Sequence, residues 1–125
     1  TYLGGLCDDV LKAAGASNVA CRVMADDVRL DLRGLTSLSL ILTELVTNSV
    51  KHAFKGRDHG VIEVDLKRLG PHRAALTVAD DGPGMPREVV PSLGLQIIQG
   101  LASQLDGELV LPEPGSSLTR VEFPA

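Results

Sequence analysis

The sequence LSLILTELVTNSVKHAFK, from Leu38 to Lys55, predicts one long amphipathic helix. Its apolar residues recur at steps of three and four, which is the spacing of a single helical face. Beside that face, polar side chains stack within about 60° of one another at roughly 100° per residue. The row consists of Glu44, Asn48, Lys51 and Lys55, and His52 lies on the seam between the row and the apolar face.

This polar row has two interpretations. Glu44 and Asn48 offer oxygen atoms, which hard cations such as Mg²⁺ prefer. Lys51 offers a cation that can meet a phosphate group. The alternative is an ordinary solvated helix face, and the helix considered alone favours neither interpretation.

The composition indicates a single globular domain. The chain has 125 residues, of which 44% are hydrophobic and 22% are charged, and this length suffices for a buried core. The net charge of −4 and the lack of a Lys/Arg-rich run argue against a nucleic-acid groove or an anionic membrane surface. No apolar run reaches the roughly 18 residues that span a bilayer, and no signal peptide is expected before the domain. We therefore expect a cytoplasmic domain.

Cys7 and Cys21 are the only cysteines in the sequence. They form no CxxC pair and no cluster with histidine, so a zinc site is not expected. Two buried, reduced thiols are expected instead, as is usual in a reducing compartment.

The remaining patterns predict an α/β domain with three helices and six short strands. Asp26 and Asp27 are expected to turn a hairpin between the first two strands, and Gly107 is expected to cap the third helix. The predicted helices are Thr1 to Ala14, Leu38 to Lys55 and Pro91 to Leu105. The predicted strands are Asn18 to Ala25, Val28 to Leu32, Val61 to Leu69, Arg73 to Ala79, Glu108 to Leu111 and Leu118 to Phe123.

Two glycine-containing stretches offer the geometry of a binding site. A strand runs directly into DDGPGMP, Asp80 to Pro86, where glycine lets the backbone approach a flat ligand and a carboxylate can accept its hydrogen bond. A plain DG turn is the alternative there. SLGL, Ser92 to Leu95, opens a helix whose first amides have no intrahelical partner and can hold a phosphate.

Together these stretches resemble the ATP-binding domain of bacterial sensor histidine kinases. ELVTNSVKHAF from Glu44 resembles that family's asparagine box, DGPG from Asp81 its first glycine box, and SLGL followed by QLDGEL its second. The family belongs to the superfamily of gyrase, heat-shock chaperone, histidine kinase and MutL ATPases, known as GHKL or Bergerat-fold proteins. The resemblance implies an α/β two-layer sandwich, in which three helices cover one face of a mixed sheet of about five or six strands. The residues of these motifs are most similar to those of the HWE and related soluble or light- and stress-sensing kinases. The resemblance covers essentially the whole chain, and three ordered boxes are far more specific than one.

The resemblance implies a role for each box. It implies that Asn48 is a Mg²⁺ ligand, that Asp81 accepts the adenine amino group of ATP, and that Lys51 reaches the phosphates. Glu44 would orient a water or the phosphoacceptor. A small hydroxyl near the last strand is implied as well, with Ser117 as the first choice and Thr119 as the second. The other positions implied to line the nucleotide are His52, Gly82, Gly84, Met85, Ser92, Leu93, Gly94 and Leu95.

The activity that the resemblance implies is transfer of the γ-phosphoryl group of ATP to a histidine on a partner dimerisation domain. No histidine of this chain lies in a dimerisation helix. The phosphoacceptor domain is therefore expected upstream of Thr1, in a homodimeric protein that passes the phosphoryl group to a response regulator. Alone, the domain is expected to bind ATP without labelling itself.

Two departures from the family pattern bear on this expectation. Only eight residues separate Gly84 from Leu93, where many relatives carry a longer mobile lid, and Ser92 replaces a glycine. Two alternatives stay open. One is a serine/threonine kinase of the same fold that acts on an anti-anti-sigma partner, and the other is a non-catalytic module that docks a response regulator.

Overall fold

The computed structural model describes residues 2–13, 19–50, 60–81, 93–111 and 118–125. Within these ranges the chain forms three helices and five strands. In chain order they are α1 (Tyr2–Ala13), β1 (Val19–Ala25), α2 (Leu32–Asn48), β2 (Gly60–Gly70), β3 (Arg73–Asp80), α3 (Leu93–Gln104), β4 (Glu108–Val110) and β5 (Thr119–Pro124). The predicted order of elements is confirmed except for one short strand.

The five strands form one mixed sheet in the order β1-β2-β3-β5-β4. β1 and β2 are parallel, and the other neighbouring strands are antiparallel. The parallel pair requires a crossover connection, which contains α2. β2 and β3 form the predicted hairpin around the turn at Pro71 and His72.

The helices pack on one face of this sheet, and the core lies between the two layers. Alternate residues of β2 and β3 point into it, as a period of two requires. One aliphatic cluster with a single aromatic ring results among the described residues. Its fully buried members include Leu38, Ile41, Leu42, Ile62, Leu76, Ile98, Val121 and Phe123. The opposite face of the sheet carries charged side chains such as Glu63 and Lys67, and none of the three described helices covers it.

The strand predicted from Val28 to Leu32 is wrong. Residues 26–31 have no regular structure, and Leu32 already belongs to α2. Val28 and Leu30 nevertheless pack against the core, while Arg29 and Asp31 are exposed. The alternation that suggested a strand therefore arises from a connecting segment whose alternate side chains reach the core.

The hairpin predicted at Asp26 and Asp27 is also wrong. The backbone N–H of Asp26 donates to the carbonyl oxygen of Leu66 at 2.7 Å. The Asp26 Oδ2 accepts a hydrogen bond from the backbone N–H of Arg68 at 2.9 Å. Asp26 thus continues the parallel pairing of β1 with β2 instead of turning the chain back.

Helix α2 begins at Leu32 and not at Leu38 as predicted. Asp31 is its N-cap, because the Asp31 Oδ1 accepts a hydrogen bond from the backbone N–H of Gly34 at 2.7 Å. Such a bond satisfies one of the amides that a helix start leaves without a partner. The buried side of α2 is the predicted apolar stripe together with one serine: Ser37, Leu38, Ile41, Leu42, Leu45 and Val46. The predicted continuation through residues 51–55 lies outside the described residues.

The turn that follows α3, at Asp106 and Gly107, places β4 next to β5. Asp106 takes the left-handed conformation, with a φ of 56°, and the backbone N–H of Gly107 donates to the carbonyl oxygen of Ala102 at 2.9 Å. A Cβ atom on Gly107 would lie 3.0 Å from the Cβ of Phe123 and still closer to the carbonyl oxygen of Glu122. Glycine is therefore needed at 107 for space, and Asp106 supplies the left-handed turn.

Candidate functional site

Asp80 and Thr119 lie close together at one end of the sheet, on neighbouring strands. Asp80 ends β3 and pairs with Ile62, and Thr119 begins β5 and pairs with Val78. Ile62 and Val78 are both buried in the core. Directly paired residues of antiparallel strands share a face, so Asp80 and Thr119 are on the face that the helices cover. Both are partly buried.

The end of α2 at Asn48 and the start of α3 at Leu93 lie on the same side of the helical layer. The hydroxyl of Ser37, one turn into α2, donates to the Oε1 of Gln104 at 3.2 Å, and Gln104 is the last residue of α3. The two helices pack on each other along their length. Because the start of α2 lies beside the end of α3, they run in opposite directions, which brings Leu93 towards Asn48. The contacts of Gly107 place the end of α3 beside Phe123, at the far end of β5 from Thr119. We therefore infer that α3 begins on the side where Asp80 and Thr119 lie.

Glu44 and Asn48 lie one turn apart on the last part of α2. Both are partly buried, and they flank Leu45, which belongs to the buried stripe. After Asn48 the chain continues in a π-helical turn at Ser49 and Val50, and the backbone N–H of Ser49 donates to the carbonyl oxygens of Leu45 and Val46. Two oxygen-bearing side chains therefore stand at the edge of the core where α2 ends.

Only part of the predicted site falls on described residues. Leu93, Gly94 and Leu95 form the first turn of α3, where backbone amides lack intrahelical partners and favour an anion. Glu44, Asn48, Asp81 and Thr119 are described as well. The predicted site residues outside the described ranges are Lys51, His52, Gly82, Gly84, Met85, Ser92 and Ser117.

The adjacent acids Asp80 and Asp81 occupy different environments. Asp81 is exposed, and its Oδ1 accepts a hydrogen bond from the backbone N–H of Val61 at 3.1 Å. The Asp81 N–H in turn donates to the Val61 carbonyl oxygen at 3.2 Å. Asp81 thereby continues the pairing of β2 with β3, whereas Asp80 is partly buried beneath the helices. The DGPG motif indicates Asp81, whereas the apolar alternation of Leu76 and Val78 along β3 indicates Asp80.

A depression of about 350 Å³ lies at the same end of the sheet, but on its open face. Exposed Arg22 and Glu63 form part of its wall, with 3.9 Å between the Arg22 Nη1 and the Glu63 Oε1. Its other described lining residues are Val61, Ala79, Asp80 and Asp81. The sheet separates this depression from Glu44 and Asn48 on α2, whereas Asp80 at the end of β3 borders both the depression and the candidate site.

The oxygen donors on α2 fit a cation that arrives with a ligand. Among the described residues, no group of three His, Cys, Asp or Glu side chains could hold a metal ion. Mg²⁺ does not need such a group, because it usually keeps several waters and uses one or two protein ligands together with phosphate oxygens. Glu44 and Asn48 offer a donor set of that size.

Comparison with known proteins identifies the family. The model of the family described as "Histidine kinase-, DNA gyrase B-, and HSP90-like ATPase" matches residues 35–125. The chain belongs to this family. The matched range contains most of α2, the hairpin of β2 and β3, α3 and the last two strands. All described residues of the candidate site therefore lie on the part of the chain that the ATPase family defines.

Relatives of this ATPase domain include bacterial histidine kinases. The chain is 27% identical over 128 residues to the "Blue-light-activated histidine kinase 2" of Erythrobacter litoralis, covering 98% of this chain and 37% of the relative. It is 35% identical over 98 residues to the "Sensor histidine kinase PdtaS" of Mycolicibacterium smegmatis, covering 74% of this chain and 19% of the relative. The chain thus spans less than half the length of these relatives.

A solved structure confirms the architecture of the ATPase domain. The histidine kinase domain of the Erythrobacter litoralis blue-light activated histidine kinase superposes with a TM-score of 0.87 at 26% sequence identity. The superposition covers 98% of this chain and 63% of that one. The predicted family and the predicted sandwich of three helices on a mixed sheet are therefore confirmed. In the part of the chain that the structure describes, no helix is long and apolar enough to cross a membrane.

Proposed function

We propose that this domain binds ATP with Mg²⁺ and transfers the γ-phosphoryl group to a histidine on a partner dimerisation domain. The partner would lie upstream in a longer, homodimeric, cytoplasmic sensor kinase, which passes the phosphoryl group to a response regulator. The observation that carries the proposal is the placement of Asp80, Thr119 and the helix ends at Asn48 and Leu93. Asp80 and Thr119 are partly buried on the helix-covered face, and the packing of α2 on α3 supports the placement of the two helix ends beside them.

We assign the adenine contact to Asp80, the role that the sequence analysis gave to Asp81. The strand register supports this assignment, because Asp80 lies on the helix-covered face and Asp81 is exposed and bonded to the Val61 amide. An ionised carboxylate only accepts hydrogen bonds. It therefore favours the exocyclic amino group of adenine over the carbonyl that guanine carries at the same position. The Thr119 hydroxyl on the neighbouring strand can donate or accept a further hydrogen bond.

The phosphates are proposed to lie between the first turn of α3 and the last turn of α2. Amides from Leu93 to Leu95 would face them, and the positive end of the helix dipole favours their charge. Glu44 and Asn48 would hold Mg²⁺, which neutralises charge on the phosphate oxygens when bound. Phosphoryl transfer depends mostly on positioning and charge stabilisation. The role of this domain is therefore to orient the nucleotide for in-line attack by an imidazole from the partner.

The proposal is tested by comparing Asp80→Asn with Asp81→Asn in calorimetric titrations with ATP and GTP. Asp80→Asn should weaken ATP binding by about 10–100-fold, since hydrogen bonds to charged groups contribute about 1.5–3 kcal/mol. It should change GTP binding little. Asp81→Asn should bind ATP as the parent does. Loss of ATP binding in Asp81→Asn alone would return the adenine contact to Asp81, and no ATP binding by the parent chain would overturn the proposed function.

The transfer step is tested with γ-labelled ATP. The domain alone should remain unlabelled, because none of its histidines is proposed as the acceptor. With the full-length protein that contains it, the label should appear on a histidine outside the domain and should be acid-labile and base-stable. An acid-stable label on a partner serine would favour the anti-sigma type of kinase. Tight ATP binding without any transfer would favour the docking module.

A further inference from the structure

Cys7 and Cys21 come together between α1 and β1, and β1 lies two strands from the strand that carries Asp80. Cys7 lies on the core side of α1 and is fully buried, next to Leu11 on the following turn. Cys21 is partly buried on β1, where its register partner is the buried Ile62. Both are free thiols in the same apolar cluster. Nothing in the proposed phosphoryl transfer uses either of them.

The two thiols interact directly and are unequal. A hydrogen bond between their side chains raises the pKa of Cys7 and lowers the pKa of Cys21, because the Cys7 S–H can donate to a Cys21 thiolate. Burial opposes ionisation of both thiols, and the nearby charge of Asp8 does the same. Cys21 is therefore both the more readily ionised and the more exposed thiol. Since the thiolate is the reactive form, Cys21 is the thiol that a reagent meets first.

We propose that Cys7 and Cys21 form a reversible oxidation site, which closes a disulfide between α1 and β1 when the domain meets a peroxide. The arrangement supports this proposal because both free thiols lie in one apolar cluster where α1 packs on β1, so a second thiol is at hand to resolve the oxidised product. The disulfide would join the first helix to the edge strand of the sheet. Packing of α1 against α2 would then connect the state of this site to the helix that carries Glu44 and Asn48.

The proposed chemistry has two balanced steps. The Cys21 thiolate attacks one oxygen of hydrogen peroxide and the O–O bond breaks, which leaves Cys21 as a sulfenic acid. The departing hydroxide takes up the proton lost by Cys21 and becomes water. The sulfur of Cys7 then attacks the sulfenic sulfur, an S–S bond forms, and the S–O bond breaks. The second hydroxide leaves as water with the Cys7 proton, so two thiols and one peroxide give one disulfide and two waters.

The test treats the reduced domain with hydrogen peroxide and follows the product by mass spectrometry. Lys12 lies between the two cysteines and Arg22 follows Cys21, so trypsin separates the two thiols into different peptides unless a disulfide joins them. We expect the chain to lose the mass of two hydrogen atoms and to give one linked peptide pair that a dithiol reductant separates. The linked form should melt about 10 °C higher, as a cross-link over a loop of this length predicts.

Single variants control for oxidation at unrelated groups. Cys21→Ser should give no linked peptides and no change in melting temperature after peroxide. Cys7→Ala should retain a sulfenic acid on Cys21 that a dimedone probe traps. Phenylarsine oxide, which bridges neighbouring thiols, should bind the reduced parent chain and neither variant.

Three results would overturn the proposal. They are peroxide products with the two peptides unlinked, disulfides only between different chains, and equal labelling of Cys7 and Cys21 by a small alkylating reagent in the folded protein. None of these readouts depends on nucleotide. The experiments therefore test the oxidation site independently of the proposed function.

Discussion

The sheet has two ends, and polar side chains are used differently at each. At the hairpin end, where Pro71 and His72 join β2 to β3, the guanidinium of Arg68 donates to the carbonyl oxygens of Asp27, Gly70, Pro71 and Ala125 at 3.2–3.4 Å. At the other end, which we call the Asp80 end, Asp80 and Thr119 are partly buried beneath the helices. The hairpin end thus joins separate chain segments through one side chain, whereas the Asp80 end places partly buried polar side chains on the helix-covered face of the sheet.

We expect the hairpin end to contribute mainly to stability and the Asp80 end mainly to ligand binding. Buried or half-buried polar atoms are costly unless they are paired, and the hairpin end satisfies this requirement within the chain itself. Polar groups placed where they add little to the packing of the fold are expected at functional sites. Substitutions at the hairpin end should therefore lower the free energy of unfolding and leave nucleotide affinity unchanged. Substitutions at the Asp80 end should lower nucleotide affinity and leave the free energy of unfolding nearly unchanged.

The largest effect is expected for Asn48→Ala at the end of α2, on the Asp80 side. This change should abolish phosphoryl transfer and weaken Mg²⁺-dependent ATP binding by at least about tenfold, the scale at which residues of metal sites act. The melting temperature should stay close to that of the parent, because Asn48 lies at the edge of the core. Titration with and without Mg²⁺, alongside a thermal melt, measures both quantities.

Thr36→Ala is the control on the same helix, because the Thr36 hydroxyl only donates to the carbonyl oxygen of Leu32 near the start of α2. It should bind ATP normally. A collapsed melting temperature in Asn48→Ala would make Asn48 a structural residue, and the contrast between the two ends would then fail on that side.

Gly107→Ala should give the largest loss of stability at the hairpin end. The added Cβ would press on the carbonyl oxygen of Glu122 and on the Cβ of Phe123, and overpacking of this kind costs about 1–3 kcal/mol. Urea denaturation of the domain measures the loss. Gly100→Ala is the matched control, since a Cβ at Gly100 in α3 would meet no atom within 4 Å. Its expected effect has the opposite sign, about 0.5–1 kcal/mol of stabilisation from helix propensity.

Arg68→Ala should destabilise the domain by about 1–2 kcal/mol, because several carbonyl oxygens lose a charged donor that is only partly exposed. ATP affinity should not change. The control is Arg22→Ala on the open face, where the side chain is 73% exposed and its ion pair with Glu63 spans 3.9 Å. An exposed pair of this kind contributes between nothing and about 1 kcal/mol. Equal losses in the two variants would show that the contacts of Arg68 do not hold the hairpin end together.

Local patterns in the sequence predicted most of the elements but not their pairing. Alternation located β2 and β3, and helical spacing located the buried stripe of α2. The parallel pairing of β1 with β2 joins residues about forty positions apart, such as Val19 and Gly60, and no local pattern encodes it. The same limit explains the wrong hairpin at Asp26, whose acid is typical of turns but pairs here with the amide of Arg68.

The adjacent acids Asp80 and Asp81 show where the sequence is least informative about the candidate site. Asp80 and Asp81 have the same chemistry and differ only in the phase of the strand that carries them. That phase follows from the burial of Leu76 and Val78, which the sequence indicates but which the motif DGPG obscures by drawing attention to Asp81. Loop-borne residues such as Lys51 and Ser117 lie outside the described ranges and stay predictions.

The smallest effect is expected at Asp31, the N-cap that the sequence analysis missed. Leu32 and Gly34 make the first turn of α2 look unlike a helix start, yet the Asp31 Oδ1 accepts the Gly34 amide at 2.7 Å. Loss of an N-cap costs about 1 kcal/mol, so Asp31→Ala should lower the free energy of unfolding by that amount. Asp31→Asn should retain most of it, because an amide oxygen also caps a helix. Antiparallel packing places this end of α2 near Gln104, on the hairpin side of the domain, so ATP affinity should be the same in both variants. The contradicting result is a loss of ATP affinity in Asp31→Ala, measured well below its melting temperature. The start of α2 would then also influence binding at its far end, and stability and binding would not be separate along this helix.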